Sequence, residues 1–320
     1  MPPLDQQLKS NRIRSRVLFS AFFVVYAVLG IAVSWMLGGW PVTPNPMILI
    51  VFSIVATGIV IVTLTLGDDL AVTVARAKQI ESRDLSPALW DSVETMAIAA
   101  GKPMPRLYLS PDRAPNAFAA GKDPKQAVVC VNQGLLDLLD KEELEGVVAH
   151  EMAHVRNLDV RLMTYAAVLA GGIALIAEFV SYLIFFGGAG DDEDSGLGVV
   201  GVVIGILVII LAPIAALLIQ MSISRKREYL ADAGAAELTK YPQGLASALR
   251  KLGSSDVPAD TGSTATAHLC IVAPLGANGK ASSMFSTHPP IEDRIARLDE
   301  LAGGQIHTQR PAVESLQSYN

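Results

Sequence analysis

Four stretches of nearly unbroken apolar sequence set the plan of this chain: residues 17–37, 47–66, 162–188 and 198–221. Each is close to the ~20 residues that an α-helix needs to cross a bilayer. The first pair is joined by a short, uncharged, Gly/Pro-rich turn over residues 38–45, with Trp35 just before it and Trp40 within it, as at a membrane interface. The chain therefore opens with a helical hairpin. A cleaved signal peptide fits less well, because the first apolar stretch is too long for one and Ala32-Val33-Ser34 is a weak cleavage site. The second pair is split by an acidic run, Asp191 to Asp194, read as a solvated turn. A shorter, partly embedded hairpin over residues 162–221 is the alternative to two full spans. Glu178 falls inside the third stretch, where a carboxylate is costly, so it is expected to face protein or water in a pairing role.

Between the hairpins the pattern changes to short mixed segments. Residues 69–82 read as a helix leaving the membrane. A second helix starts at Ser86-Pro87 and runs through Trp90 and Met96 to about Ala100, with Gly101 past its end. Residues 106–110, 116–120 and 127–132 read as short strands, the first two separated by the turn from Pro111 to Pro115. Asp140-Lys-Glu-Glu is an N-cap with an acidic first turn, and Leu144, Val147, Val148, Met152 and Val155 continue an apolar helical stripe with no obvious end before the third apolar stretch. Residues 252–285 are Gly/Ser/Ala/Thr-rich and form a flap or a long loop. A last helix spans 291–301, and the polar tail beyond Gly304 reads as disordered.

Composition agrees with a membrane protein. Hydrophobic residues make up 51%, charged residues only 18%, and the mean hydropathy is +0.40. A net charge of −6 gives no broad basic field for nucleic acid. Two cysteines, Cys130 and Cys270, cannot make a disulfide framework and read as buried free thiols. Lys9, Arg12, Arg14 and Arg16 precede the first span, Arg76, Lys78 and Arg83 follow the second, and Arg225-Lys226-Arg227 follows the fourth. That distribution puts the N-terminus and the segment between the hairpins in the cytoplasm. The expected fold is a mainly α integral membrane protein of about four transmembrane helices, with a cytoplasmic α+β domain carrying a small β-sheet. Its segments are 1–67, the basic N-terminus and first hairpin; 68–161, the first part of the cytoplasmic domain; 162–221, the second hairpin; 222–303, the second part of the domain; and 304–320, a polar tail.

The chemistry concentrates in Gly146-Val-Val-Ala-His150-Glu151-Met-Ala-His154, an H-E-x-x-H pattern on the capped helix. At i and i+4, His150 and His154 project from one face and can grip one cation, and neutral imidazoles suit zinc. Glu151 stands beside that cation, where it can act as a base on water. A third ligand must return to this helix. Glu228, in Arg227-Glu228-Tyr229-Leu230-Ala231-Asp232, follows the fourth apolar stretch as closely as the histidines precede the third. Asp232, one turn further, can accept a hydrogen bond from a ligating histidine. A juxtamembrane charge cluster accounts for Arg225, Lys226 and Arg227, but not for Glu228 and Asp232.

With Asn116-Ala-Phe-Ala-Ala-Gly121, with Asn157 and Asp159 after the H-E-x-x-H, and with Thr287-His-Pro-Pro-Ile-Glu-Asp-Arg294, the chain resembles the HtpX proteases, bacterial inner-membrane zinc metallopeptidases related to the CAAX prenyl endopeptidases. The resemblance covers most of residues 10–300. It implies one zinc ion per chain held by His150, His154 and Glu228, with Glu151 as general base. It implies Asp232 and Asn157 supporting the ligands, and Asn116, Ala117, Phe118 and Ala119 as the edge strand that aligns substrate by main-chain hydrogen bonds. It also places His288 and Arg294 near the active site, steadying the tetrahedral intermediate or capping the metal. His268 and His307 look incidental.

The implied activity is endoproteolysis of misfolded or damaged membrane proteins at the cytoplasmic face of the bacterial inner membrane, in stress-linked quality control. The partners it implies are membrane-protein or unfolded polypeptide substrates, the lipid bilayer and other membrane quality-control proteases, with no nucleic acid. The competing reading is a latent or non-proteolytic scaffold or holdase with structural zinc, which would need a fourth protein ligand such as His288 and has no use for Glu151. A processing protease for prenylated substrates would want more spans. A zinc transporter would want its ligands within them.

Overall fold

A computed structural model describes residues 4–38, 46–186, 199–221, 225–255, 257, 271 and 289–308. His288, His268, Cys270, Trp40 and the acidic run at 191–194 fall outside the described residues.

The apolar stretches become long helices: α1 (Leu4–Gly38), α2 (Pro46–Val74), α6 (Asp159–Phe186) and α7 (Val199–Met221). Among the described residues, three segments are long and apolar enough to cross a membrane: Ser15–Trp35, Pro46–Val74 and Asp159–Tyr182; the described part of α7 adds the shorter apolar segment Val202–Ala215. α6 is the hub of the bundle, touching α1, α2 and α7, with its span mostly buried, whereas the span in α2 is largely exposed. Glu178 is exposed on α6, and none of the described ion pairs includes it.

Residues 69–82 depart from expectation. α2 continues to Val74, Arg76 adopts a left-handed backbone (φ 50°), and β1 (Lys78–Ile80) follows. Only Ile80 of β1 is buried, so a polar edge strand had the composition of an exposed helix turn. β1 pairs antiparallel with β2 (Arg106–Ser110), β2 parallel with β4 (Val128–Asn132), and β4 antiparallel with β3 (Ala117–Ala120), giving the order β1-β2-β4-β3 with β3 at an edge. α3 (Pro87–Ala100) ends as expected on Gly101 in a left-handed cap.

Both faces of the sheet are covered, and alternate residues go to different cores. Tyr108, Phe118, Ala120, Val128 and the buried Cys130 join a cluster with Phe22 of α1, Ala71 of α2 and Leu169 of α6. Leu107, Ala117, Ala119, Val129 and Val131 face a second cluster with α3 and α5 (Lys141–Arg156). The sheet is thus sandwiched between the membrane bundle and the α5 layer. Arg106 ties it to the foot of α2 through Asp68 (2.6 Å) and Asp69 (3.0 Å).

After the short helix α4 (Gln133–Leu138), α5 starts on a capping box in which Asp140 accepts from the Glu143 amide while Glu143 accepts from the Asp140 amide. Its residues from Val147 to Val155 are all buried, by α3, α8 (Arg225–Thr239), α9 (Pro242–Gly253) and β3. The helix does end: Asn157 caps it and Leu158 turns left-handed (φ 64°), so α6 departs in a new direction from Asp159. α10 (Ile291–Thr308) packs on α8 and α9 and extends past Gly304, where a disordered tail was expected; a helix already started by Ile291, Leu298 and Ala302 carries the polar residues that follow.

Candidate active site

Four helices and the edge strand converge on one buried cluster. α5 supplies His150, Glu151 and His154; α8 supplies Glu228 and Asp232; α10 supplies Arg294; and the first residue of α6 supplies Asp159. What lets α8 approach α5 closely is Gly234. A Cβ there would lie 2.8 Å from Ala153 Cβ, beside His154.

His150 Nε2 lies 3.7 Å from Glu228 Oε2, and His154 Nε2 lies 3.5 Å from Glu228 Oε1. The three ligand atoms sit within 4.8 Å of one another. Tetrahedral zinc with arms of about 2.05 Å sets its ligands about 3.4 Å apart, so the donor set fits after small adjustments. Charge fits too. Arg227 offsets Asp159 and Arg294 offsets Asp232, which leaves the buried carboxyl groups of Glu151 and Glu228 beside the two histidines, where a cation is favoured.

Burial disfavours protonated His150, but its hydrogen bond with Asp232 and the nearby Glu228 carboxylate outweigh this and raise its pKa to about 9. A proton there stands where the carboxylates call for positive charge. Burial pushes the Glu151 carboxyl up, against the pull of the two histidines and of a hydrogen bond from the Ala119 amide. Its Oε2 is buried with no hydrogen-bond partner. Asp232 is held below the usual carboxylate range: burial opposes this, and Arg294 together with the His150 hydrogen bond prevails.

Asp232 accepts from His150 Nδ1 at 2.9 Å, which leaves Nε2 for the metal. Arg294, buried, grips Asp232 at two points (2.9 and 2.7 Å) and donates to the Ile271 carbonyl at 2.9 Å. Its Nη1 also lies 4.0 Å from Glu228 Oε2, so the guanidinium braces Asp232 and stands beside a ligand carboxylate. Asn157 is the α5 cap, and the group beside His154 Nδ1 is Asp159, at 3.5 Å, because the left-handed turn at Leu158 swings the chain round. Arg227 is buried against Asp159 at 2.9 Å, whereas its neighbours Arg225 and Lys226 are exposed; the juxtamembrane cluster covers only those two.

On β3, the Asn116 carbonyl accepts from the Asn132 amide, so Asn116 and Phe118 turn their backbone groups toward β4 while Ala117 and Ala119 turn theirs to the open edge. The Ala117 carbonyl accepts from the Ile271 amide and the Ala119 amide reaches Glu151. Of the four expected substrate-aligning residues, these two face the site. Sequence reasoning missed Asp159, Arg227 and Ile271 as parts of the site. A buried arginine beside a ligand position carries no pattern to distinguish it from an exposed one.

Two histidines and a carboxylate on one face, a base beside them, and a hydrophobic helical bundle attached define a membrane metalloprotease. Residues 85–302 match peptidase family M48. The chain is 42% identical over 303 residues to a protease HtpX homolog of Limosilactobacillus fermentum, covering 93% of this chain and 100% of the relative, and 52% identical over 213 residues to one of Dictyoglomus thermophilum, covering 66% and 68%. Against the crystal structure of Ste24p from S. mikatae the TM-score is 0.42 at 18% identity, over 92% of this chain and 66% of that one. The chain belongs to peptidase family M48, among its HtpX-like proteases, and is a membrane zinc metalloprotease.

Proposed function

We propose that the chain is a multi-pass endopeptidase of the bacterial inner membrane, with four spans and with its N-terminus and active site on the cytoplasmic side, that removes misfolded or damaged membrane proteins by cutting them there. His150, His154 and Glu228 hold one zinc ion, and Glu151 is the base. The observation that carries the reading is Glu151 itself: a buried carboxylate with an unpartnered oxygen, next in sequence to a histidine of a three-donor cluster. A scaffold with structural zinc has no use for such a group.

Zinc supplies Lewis-acid activation of water and of the scissile carbonyl. Glu151 takes a proton from the attacking water as its oxygen bonds to the carbonyl carbon. Glu151 holds that proton until the C–N bond breaks and the leaving nitrogen receives it. Asp232, braced by Arg294, keeps His150 in one orientation. An extended substrate aligns along the outward edge of β3 by taking the place of the Ile271 amide on the Ala117 carbonyl.

The catalytic domain comprises residues 68–161 and 222–303, split by the hairpin at 162–221. The position of α6, which begins three residues after α5 ends, supports a site at the membrane surface. Substrate class and sidedness are tested in proteoliposomes holding the full chain and a single-span reporter with unstructured loops on both sides. Mass spectrometry should find cuts only in the loop that shares its side with the protease N-terminus. Cuts in the opposite loop or within the span would overturn the assignment.

A further inference from the structure

Behind each zinc-site histidine stands a carboxylate braced by an arginine, and the two arms have different anchors. Behind His150, Asp232 is held by Arg294 within the helices of the catalytic domain. Behind His154, Asp159 is held by Arg227, and this pair joins the first residue of α6 to the third residue of α8. It therefore crosses the base of the second apolar hairpin. His154 Nδ1 is buried and makes no hydrogen bond, while Asp159 Oδ2 lies 3.5 Å away, just beyond bonding reach. A neutral imidazole that offers Nε2 to a cation carries its proton on Nδ1, and a buried N–H requires an acceptor. Among the described residues, Asp159 is the carboxylate that faces this nitrogen.

We propose that Asp159, locked by Arg227, is the positioning residue for His154, and that this one ion pair also sets Glu228. The inference rests on the reading of His150, His154 and Glu228 as the zinc ligands. Arg227 directly precedes Glu228, so anchoring its guanidinium on Asp159 fixes the first turn of α8 against the α5–α6 junction. Two of the three ligands thus depend on how closely the start of α6 holds the start of α8. The integrity of the metal site is thereby tied to the hairpin that those helices enter and leave.

The test uses the full chain in detergent, with zinc affinity measured by competition against a chromophoric chelator and geometry read from the visible bands of the cobalt-substituted protein. Asp159→Asn should weaken zinc binding about 10- to 100-fold, the range found when such outer partners are removed, and shift the cobalt bands. Arg227→Met should do the same, and Arg227→Lys should recover part of the loss. Glu237→Gln breaks the exposed Arg156–Glu237 pair between the same helices α5 and α8, and should leave affinity and spectrum unchanged. Asp159→Asn and Arg227→Met within threefold of native, with unshifted bands, would overturn the inference while leaving the ligand reading intact. No zinc bound by the native chain would overturn both. Where the variants do not fold, the zinc-loaded native protein labelled with 15N-histidine decides. A slowly exchanging, downfield His154 Nδ1 proton is expected; a proton exchanging at the solvent rate, or metal on Nδ1, would overturn it.

Discussion

Replacing Gly234 by alanine probes how the third ligand is brought to the histidines. The new methyl would start 2.8 Å from Ala153 Cβ and 3.2 Å from Arg156 Nη2. Carbon atoms prefer about 3.5–4.0 Å, so α8 must retreat from α5 by about 1 Å. Zinc–ligand distances tolerate only about 0.2 Å. Overpacking of this size costs about 1–3 kcal/mol. Without metal the helices can separate and relieve the overlap; with metal, Glu228 and the histidines pull them together again, so the strain falls on binding. At 1.4 kcal/mol per tenfold, zinc affinity should drop about 5- to 150-fold. Helix propensity works the other way, since alanine in a helix interior is worth about 0.5–1 kcal/mol over glycine. Gly303→Ala isolates that gain, because a Cβ at Gly303 meets nothing within 4 Å. Chelator competition and thermal unfolding on both variants give the answer. Gly234→Ala binding zinc within threefold of native would refute the claim that this close approach sets the site.

Three further outcomes follow from the same geometry. Asp232→Asn leaves Arg294 buried without its anionic partner, and should lower stability by about 3–5 kcal/mol in chemical unfolding of the metal-free protein; a loss under 1 kcal/mol would mean that Arg294 finds another partner. Glu143, which closes the capping box and also bonds Lys251 and Ser247, has a depressed pKa: burial opposes the shift and the Lys251 hydrogen bond leads those that overcome it. A depressed folded-state value means its stabilisation is full above the ordinary 4.5 and is lost as pH falls through the folded value. The acid limb of the melting profile should accordingly be shallower in Glu143→Gln than in the native protein, and identical limbs would contradict this. Removal of metal by 1,10-phenanthroline should abolish proteolysis and zinc should restore it, with activity in metal-free protein as the contrary result.

Much of this was legible in the sequence because it depends on local pattern. The spans show as apolar length, α5 as a cap followed by a stripe, and the H-E-x-x-H as two histidines one helical turn apart. Glu228 and Asp232 were within reach because a hairpin must bring its two ends together. What escaped depends on non-local packing or on backbone dihedrals. β1 has a helix-like composition because only one of its residues is buried. The placing of Asp159 beside His154 turns on a left-handed backbone at Leu158, a leucine that nothing in the sequence marks for that conformation. Arg227 was indistinguishable from Arg225 and Lys226 until the α6–α8 contact buried it. The Ile271 amide on the β3 edge comes from a weakly patterned segment with no strand signal.

The central claim is that Glu151 acts as the base beside a zinc held by His150, His154 and Glu228. Its most direct test is cleavage of an unfolded reporter such as casein by detergent-purified native protein and by Glu151→Gln, with bound zinc measured in each by mass spectrometry. The account predicts one zinc per chain in both and cleavage by the native protein alone. Equal cleavage by both, with zinc retained, would contradict it.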